Sequence, residues 1–193
     1  MMTEEQYKEA ESFWDKKDAQ EKQMDRDVLC REINNFLFTH KVLALASGSG
    51  SSIRCTPLEY TWHNGALWIF TEGGKKIRGL RENKNVSAAV FESNAAFGHL
   101  KSAQVQGTAA IVELFSEEYT VEAAFRKIPL DTLKKLPEPM WLLKIIPDEI
   151  VFLNSDFKKE GFGARQTWRR IESIGKKEKF SLDKLTLEEA KKT

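Results

Sequence analysis

Residues 53–71 read IRCTPLEYTWHNGALWIFT, and this stretch decides the fold. Ile53–Trp62 and Ala66–Thr71 are rich in β-branched and aromatic residues. Such residues favour a pleated, half-buried surface. Between the two runs lies His63-Asn64-Gly65. Asn-Gly tolerates positive φ at both central positions, so it makes the tight turn that matches strand twist. The stretch therefore predicts an antiparallel hairpin. Period-two alternation puts Leu58, Tyr60 and Trp62 on one strand face and Cys55, Pro57, Glu59 and Thr61 on the other. Pro57 has no ladder donor, so its strand is irregular or lies at a sheet edge.

Upstream, Val42–Ser47 is a short apolar run that reads as a buried strand, and Gly48-Ser49-Gly50-Ser51-Ser52 has the composition of a loop. Residues 4–39 read as helical. Glu4, Glu5, Glu9 and Glu11 suit a helix start, and Val28, Leu29, Ile33, Phe36 and Leu37 form one apolar stripe. A cap at Asp25 or Asp27 predicts two helices there. Downstream, Gly73-Gly74 ends the hairpin and Lys75–Glu82 is a short helix with Ile77 and Leu80 turned inward. Val86–Glu92 is a strand, and Leu100–Phe115 an extended run with a bulge or bend at Gly107. Ser116-Glu117-Glu118 starts a helix, and Pro129, Pro137 and Pro139 bracket a shorter one. Met140–Ile146 and Glu149–Leu153 read as two closing strands around a Pro147-Asp148 turn. Beyond Asn154 the chain turns polar and basic, with Leu182, Leu185 and Leu187 able to dock a last helix. Six or seven short strands without βαβ alternation predict a mainly β, α+β fold: a small antiparallel barrel with helices at its N-terminus and between strands.

The chain has 193 residues, enough for one domain with its own core. Thirty Lys and Arg oppose 29 Asp and Glu, and this balance argues against a general nucleic-acid binder. No apolar run is long enough to cross a membrane, and the opening MMTEEQYKEAES is unlike a secretory signal. Two cysteines, Cys30 and Cys55, exclude a disulfide scaffold and a four-cysteine zinc site and point to the reducing cytoplasm. His40, His63 and His99 are far apart and have no metal-ligand spacing, so no metal is expected. His63 reads as a solvent-facing turn residue. No nucleophile elbow, zinc-protease or acid/base carboxylate pair stands out, and a Cys55 thiol on a strand is either a nucleophile or inert.

Two features carry candidate chemistry. Thr71-Glu72-Gly73-Gly74-Lys75-Lys76 joins a strand to a helix. A helix N-terminus, two glycines and two lysines suit a terminal phosphate, although the same residues also describe a solvated turn. The phosphate-loop spacing of nucleotide hydrolases is absent. Arg54 opens a strand just after the Gly/Ser stretch, where its planar fork can clamp an oxyanion. The irregular Cys55-Thr56-Pro57 segment can leave backbone groups free for a flat heterocycle.

In order along the chain come Arg54-Cys55-Thr56-Pro57, the Asn-Gly hairpin, Phe70-Thr71, Lys75-Lys76 with Leu80, Asn85–Phe91, and Lys101–Gly107. This order resembles the pyridoxamine 5′-phosphate oxidase-like family of FMN-binding split β-barrels over residues 27–154. The resemblance implies a homodimer with FMN at its interface. It matches Arg54, Lys75 and Lys76 to the phosphate, and Phe70 and Thr71 to an aromatic-Thr pair beside the cofactor. Cys55, Thr56 and Pro57 would run along the flavin ring. Ser102 stands where the oxidase has a glutamine, and Gln104 can serve instead. A lysine of the oxidase is here Glu59, whose charge would repel a phosphorylated substrate. The Trp that follows the oxidase's closing strand is Leu153, and its C-terminal arginine has only a loose counterpart in Arg165. The expectation is thus an FMN oxidoreductase acting on a small substrate or reduced nicotinamide, and not on pyridoxamine phosphate. A flavin store or sensor without turnover, or a related barrel for haem or a deazaflavin, is the alternative. Residues 1–26 would form a helical extension, and 155–193 a C-terminal extension in which Arg165 and Gln166 fold over the partner's pocket.

Overall fold

The computed structural model describes residues 2–93, 96 and 98–171. Helices α1 (Glu4–Glu11), α2 (Phe13–Asp18) and α3 (Arg26–Thr39) lead into strands β1 (Val42–Ser49), β2 (Ser52–Glu59), β3 (Thr61–His63) and β4 (Ala66–Thr71). Helix α4 (Lys75–Glu82), strands β5 (Asn85–Phe91) and β6 (Lys101–Val112), helices α5 (Glu117–Phe125) and α6 (Leu130–Lys134), and strands β7 (Trp141–Asn154) and β8 (Arg165–Arg169) complete the order. The strands form one antiparallel sheet in the order β2-β1-β5-β6-β7-β4-β3, with β8 added beside β7. The sheet curls until β2 approaches β4.

The hairpin forms as its turn chemistry demands: Asn64 (φ 48°) and Gly65 (φ 65°) both take left-handed backbone between β3 and β4. The preceding strand is broken at Tyr60, whose N–H donates to the Lys41 carbonyl and whose hydroxyl donates to that of Leu37. Tyr60 and Trp62 are buried as the alternation requires. Gly48–Ser52 is not a loop. β1 runs on to Ser49, and only Gly50 (φ 55°) and Ser51 lie between the strands. A Cβ at Gly48 would come within 3.0 Å of the Ser52 carbonyl, so this glycine serves close strand approach.

The two expected closing strands are one. β7 runs unbroken for 14 residues, pairing β4 through its first half and β8 through its second. Gln106 faces Glu149 and Gly107 faces Pro147, so Asp148 is a bulge and not a turn residue. Gly107 is at the expected irregularity, and a Cβ there would strike the Ile146 backbone. The N-terminal segment holds three helices rather than two. Asp25 caps α3 by accepting from the Asp27 and Val28 N–H groups. The segment before it is pinned by Gln166, which accepts from the Met24 N–H at 2.8 Å and donates to the Lys22 and Gly163 carbonyls. Within the chain, β8 joins the sheet beside β7 and Arg165 pairs with Asp18. The leucine-bearing helix expected near 182–187 lies outside the described residues.

Two cores follow. The larger fills the barrel under α3, with Ile33, Leu37, Leu45, Ile69, Val105 and Phe152 at its centre. The smaller lies under α5 and α6, around Trp68, Tyr119, Leu133 and Leu142. No helix among the described residues is long and apolar enough to cross a membrane.

Candidate functional site

Strand β2 is an edge strand, which explains how it tolerates Pro57. Its register with β1 sets Arg54 opposite Ser47 and Thr56 opposite Leu45, on the inward face. Cys55 and Pro57 point the other way, opposite Ala46 and Ala44. Near the turn between β1 and β2, α4 crosses β1. Gly73 (φ 108°) and Gly74 (φ 93°) swing the chain from β4 into this helix, a path that L side chains strain to follow. Gly74 has no side chain to cap the helix, and no described side chain takes up the first N–H groups of α4.

Helix α4 and the turn end of β1 and β2 enclose a cleft of about 90 Å³. Arg54 enters it from β2, and Lys75, Arg78 and Gly79 from α4, above Ser47 and Gly48 of β1. Among the described residues none of the three cations pairs with a carboxylate. Glu82 is occupied at the rim, where it accepts a hydrogen bond from Ser49. Lys76 is close but is not a wall of the cleft, since its ammonium donates to the Gly73 carbonyl at 2.6 Å. Burial pushes its pKa below the usual lysine value, and Arg54 adds to that while Glu72 opposes it. Three unpaired cations, serine hydroxyls and an uncapped helix start are the donors that a phosphate dianion requires. The site's chemistry therefore fits the phosphate of a flavin mononucleotide.

The other expected cofactor residues spread out from there. Thr71 is buried at the end of β4, where its hydroxyl accepts from the Gly73 N–H. Phe70 packs edge-on to Tyr119 at 5.4 Å and under Arg126 at 5.7 Å, as part of the smaller core. Pro57, Ala44, Ala89 and Gln104 form one row across β2, β1, β5 and β6, on the outer sheet face. Gln104 is thus three strands, about 14 Å, from Pro57. Ser102 lies on the same face, opposite Phe91. Glu59 is not a free repelling charge, because Arg126 donates to it at 2.5 Å.

No family model matches this sequence, and no curated protein matches it. Solved structures do. A candidate pyridoxamine 5′-phosphate oxidase from Listeria innocua superposes with a TM-score of 0.52 at 20% identity, over 65% of this chain and 98% of that one. An FAD-binding protein from Mesorhizobium loti does so with a TM-score of 0.50 at 24% identity, over 62% and 88%. The haem-storage protein HutZ of Vibrio cholerae matches with a TM-score of 0.50 at 18% identity, over 64% and 91%. This chain has their split-barrel fold. The likeness establishes the fold, while the ligand named for each neighbour belongs to that neighbour. The fold is the one that the motif order from Arg54 to Gly107 led us to expect.

Sequence reasoning missed two things in this split barrel. Arg78 lies three residues beyond Lys75, on the same helix face, and that spacing was the available signal. His63 is not a solvent-facing turn residue. Its Nδ1 meets a carboxylate oxygen of Glu122 at 3.0 Å, and its ring stacks on Phe125 at 3.9 Å. Glu122, buried in α5, also accepts from the Thr61 hydroxyl. Its partners lie 59 and 61 residues away, a separation that no local pattern reveals.

Proposed function

We propose that this chain is an FMN-dependent oxidoreductase. It works as a cytoplasmic homodimer with the flavin at its interface, acting on a small substrate or reduced nicotinamide and not on pyridoxamine phosphate. One observation carries this reading: Arg54 of β2 and Lys75 of α4 meet in a single cleft with no carboxylate paired to either among the described residues. When bound, the flavin supplies the redox chemistry, and the protein supplies binding, orientation and electrostatics. Arg54 and Lys75 neutralise the phosphate dianion, and Lys76 adds charge from behind. The unpaired edge of β2 at Cys55–Pro57 offers backbone groups to the ring. The dimer interface is the outer sheet face that carries Pro57, Ala44, Ala89, Phe91 and Gln104, which no helix covers among the described residues. Exposed Ile53, Val42 and Phe91 give that face apolar area to bury.

The test is direct. The purified chain should show the visible bands of oxidised flavin, release FMN on denaturation, elute as a dimer in gel filtration and oxidise NADH or NADPH with a small acceptor. A protein that binds FMN but turns over no donor is a flavin store. A colourless protein that takes up no added FMN overturns the reading.

One observation favours haem as a second reading. The His40 Nδ1 donates to the Phe36 carbonyl at 2.7 Å, which leaves Nε2 with the lone pair. His40 borders a cleft of about 570 Å³ with Val42, Leu43, Ala44, Pro57 and Phe91 as its apolar wall and Lys41, Glu92 and Ser93 beside them. An imidazole held in that tautomer is equipped to ligate iron. A Soret band lost in His40→Ala would establish haem in place of flavin.

A further inference from the structure

Helix α4 turns one face to the cleft: Lys75, Arg78 and Gly79 lie along it at helical spacing, with Glu82 next in line. Gly79 is the odd member. Glycine in a helix interior is less favourable than alanine, so it calls for a reason. Elsewhere in the cleft the packing of the chain supplies one, since Gly48 has the Ser52 carbonyl 3.0 Å from where its Cβ would lie. At Gly79 no described residue lies within 4 Å of that point, and its backbone is not left-handed. Neither its backbone conformation nor packing against the described residues accounts for this glycine. Gly79 lines the cleft, and Arg78 beside it adds to Arg54 and Lys75 a third cation with no carboxylate partner among the described residues.

We propose that Gly79 and Arg78 determine the specificity of this cleft, Gly79 by leaving space and Arg78 by adding charge for a terminal phosphate monoester. A terminal monoester offers three oxygens and two negative charges to the three cations. Each phosphate of FAD, an ester on one side and an anhydride on the other, offers two free oxygens and one charge, and the chain beyond it must thread out of the cleft. The cleft therefore selects FMN over FAD and over riboflavin. The identity of the group that carries the phosphate rests on the flavin reading above; the assignment of the two residues does not.

The experiment titrates the full-length protein and its Gly79→Ala, Gly79→Leu and Arg78→Gln variants with FMN, FAD, riboflavin and inorganic phosphate. Gly79→Ala should fold as well as the parent or better, by thermal melting. It should lose about tenfold in FMN affinity while riboflavin affinity is unchanged, and Gly79→Leu should lose more. Arg78→Gln should lose about tenfold for FMN and reduce the salt dependence of binding. Variants that bind FMN as the parent does, or that lose FMN and riboflavin equally, overturn the proposal and leave the flavin reading standing. Inorganic phosphate bound by the parent and lost by both Gly79→Ala and Arg78→Gln supports the proposal even if no flavin binds. Failure of the parent to bind either FMN or phosphate overturns both.

Discussion

The two ends of the molecule gather charge in opposite ways. Beneath α5, Glu122 is buried and fully answered by its own chain, through the Thr61 hydroxyl and the His63 ring. Beside α4, Arg54, Lys75 and Arg78 crowd one cleft, exposed and unanswered by any described residue. A satisfied buried group ties elements together, whereas an exposed cluster of like charge is solvated in the free protein and stays available to an incoming anion. The first arrangement is therefore a structural device that pins α5 to the β3–β4 hairpin, and the second is poised for an anion. The largest effect should come from breaking the first. Glu122→Ala leaves the Thr61 hydroxyl and His63 Nδ1 without their buried partner and should lower unfolding stability by about 3 kcal/mol. Urea denaturation measures it; a loss below about 0.5 kcal/mol would erase the distinction drawn between the two ends.

The cleft should behave in reverse. Arg54→Ala removes an exposed guanidinium and should leave stability within about 0.5 kcal/mol of the parent. FMN affinity should fall by about tenfold to a hundredfold, as charge-assisted hydrogen bonds are lost, while riboflavin affinity stays level. Fluorescence titration of both ligands, alongside a melting curve, sharpens the contrast. A variant that melts early yet binds FMN normally would mean that Arg54 is structural and that the cleft is not the phosphate site.

Much of this contrast was legible in the sequence, but only where a signal is local. Asn64-Gly65 fixed the hairpin because two positive-φ positions in a row permit little else. Gly73-Gly74 before Lys75 marked both the entry to α4 and the phosphate-type turn for the same backbone reason. The failures are long-range. Pro147-Asp148 has turn composition, yet β6 alongside it holds the strand straight and absorbs the extra residue as a bulge opposite Gln106 and Gly107. The Gly/Ser run after Ser47 reads as a loop, yet its small residues let two strands close on one another. Arg78 was hidden because recognising it needs the helix face and the hairpin end that it meets at once. Glu122 was hidden because one carboxylate among 29 acidic residues is marked only by what it touches.

A smaller effect separates the two ends by pH. Lys76 is held below its ordinary pKa mainly by burial, with Arg54 adding repulsion. Its depressed value means that the folded protein releases this proton first, so stability without ligand rises with pH between the folded value and the ordinary lysine value. A bound phosphate favours the charged ammonium and raises the pKa again. FMN affinity should thus be complete below the folded value and decline, by less than about tenfold, as pH rises through it. Lys76→Met should flatten that decline. A parent whose FMN affinity is level from neutral pH to the ordinary lysine range would remove Lys76 from the anion's surroundings.

The smallest effect is expected at Glu59, and it decides how the cleft's surroundings are to be understood. From sequence alone this carboxylate stands where it would repel a phosphorylated substrate. In the fold Arg126 donates to it at 2.5 Å, and Arg126 also lies over Phe70, so the carboxylate is already neutralised. The Glu59 side chain is 64% exposed, and an exposed ion pair contributes between nothing and about 1 kcal/mol. Glu59→Gln should change stability by less than about 1 kcal/mol and leave FMN affinity where it was. If FMN binding instead tightens severalfold, Glu59 still projects its charge toward the cleft. Arg126 would then have failed to neutralise the carboxylate, and repulsion would act on phosphorylated substrates despite the pair.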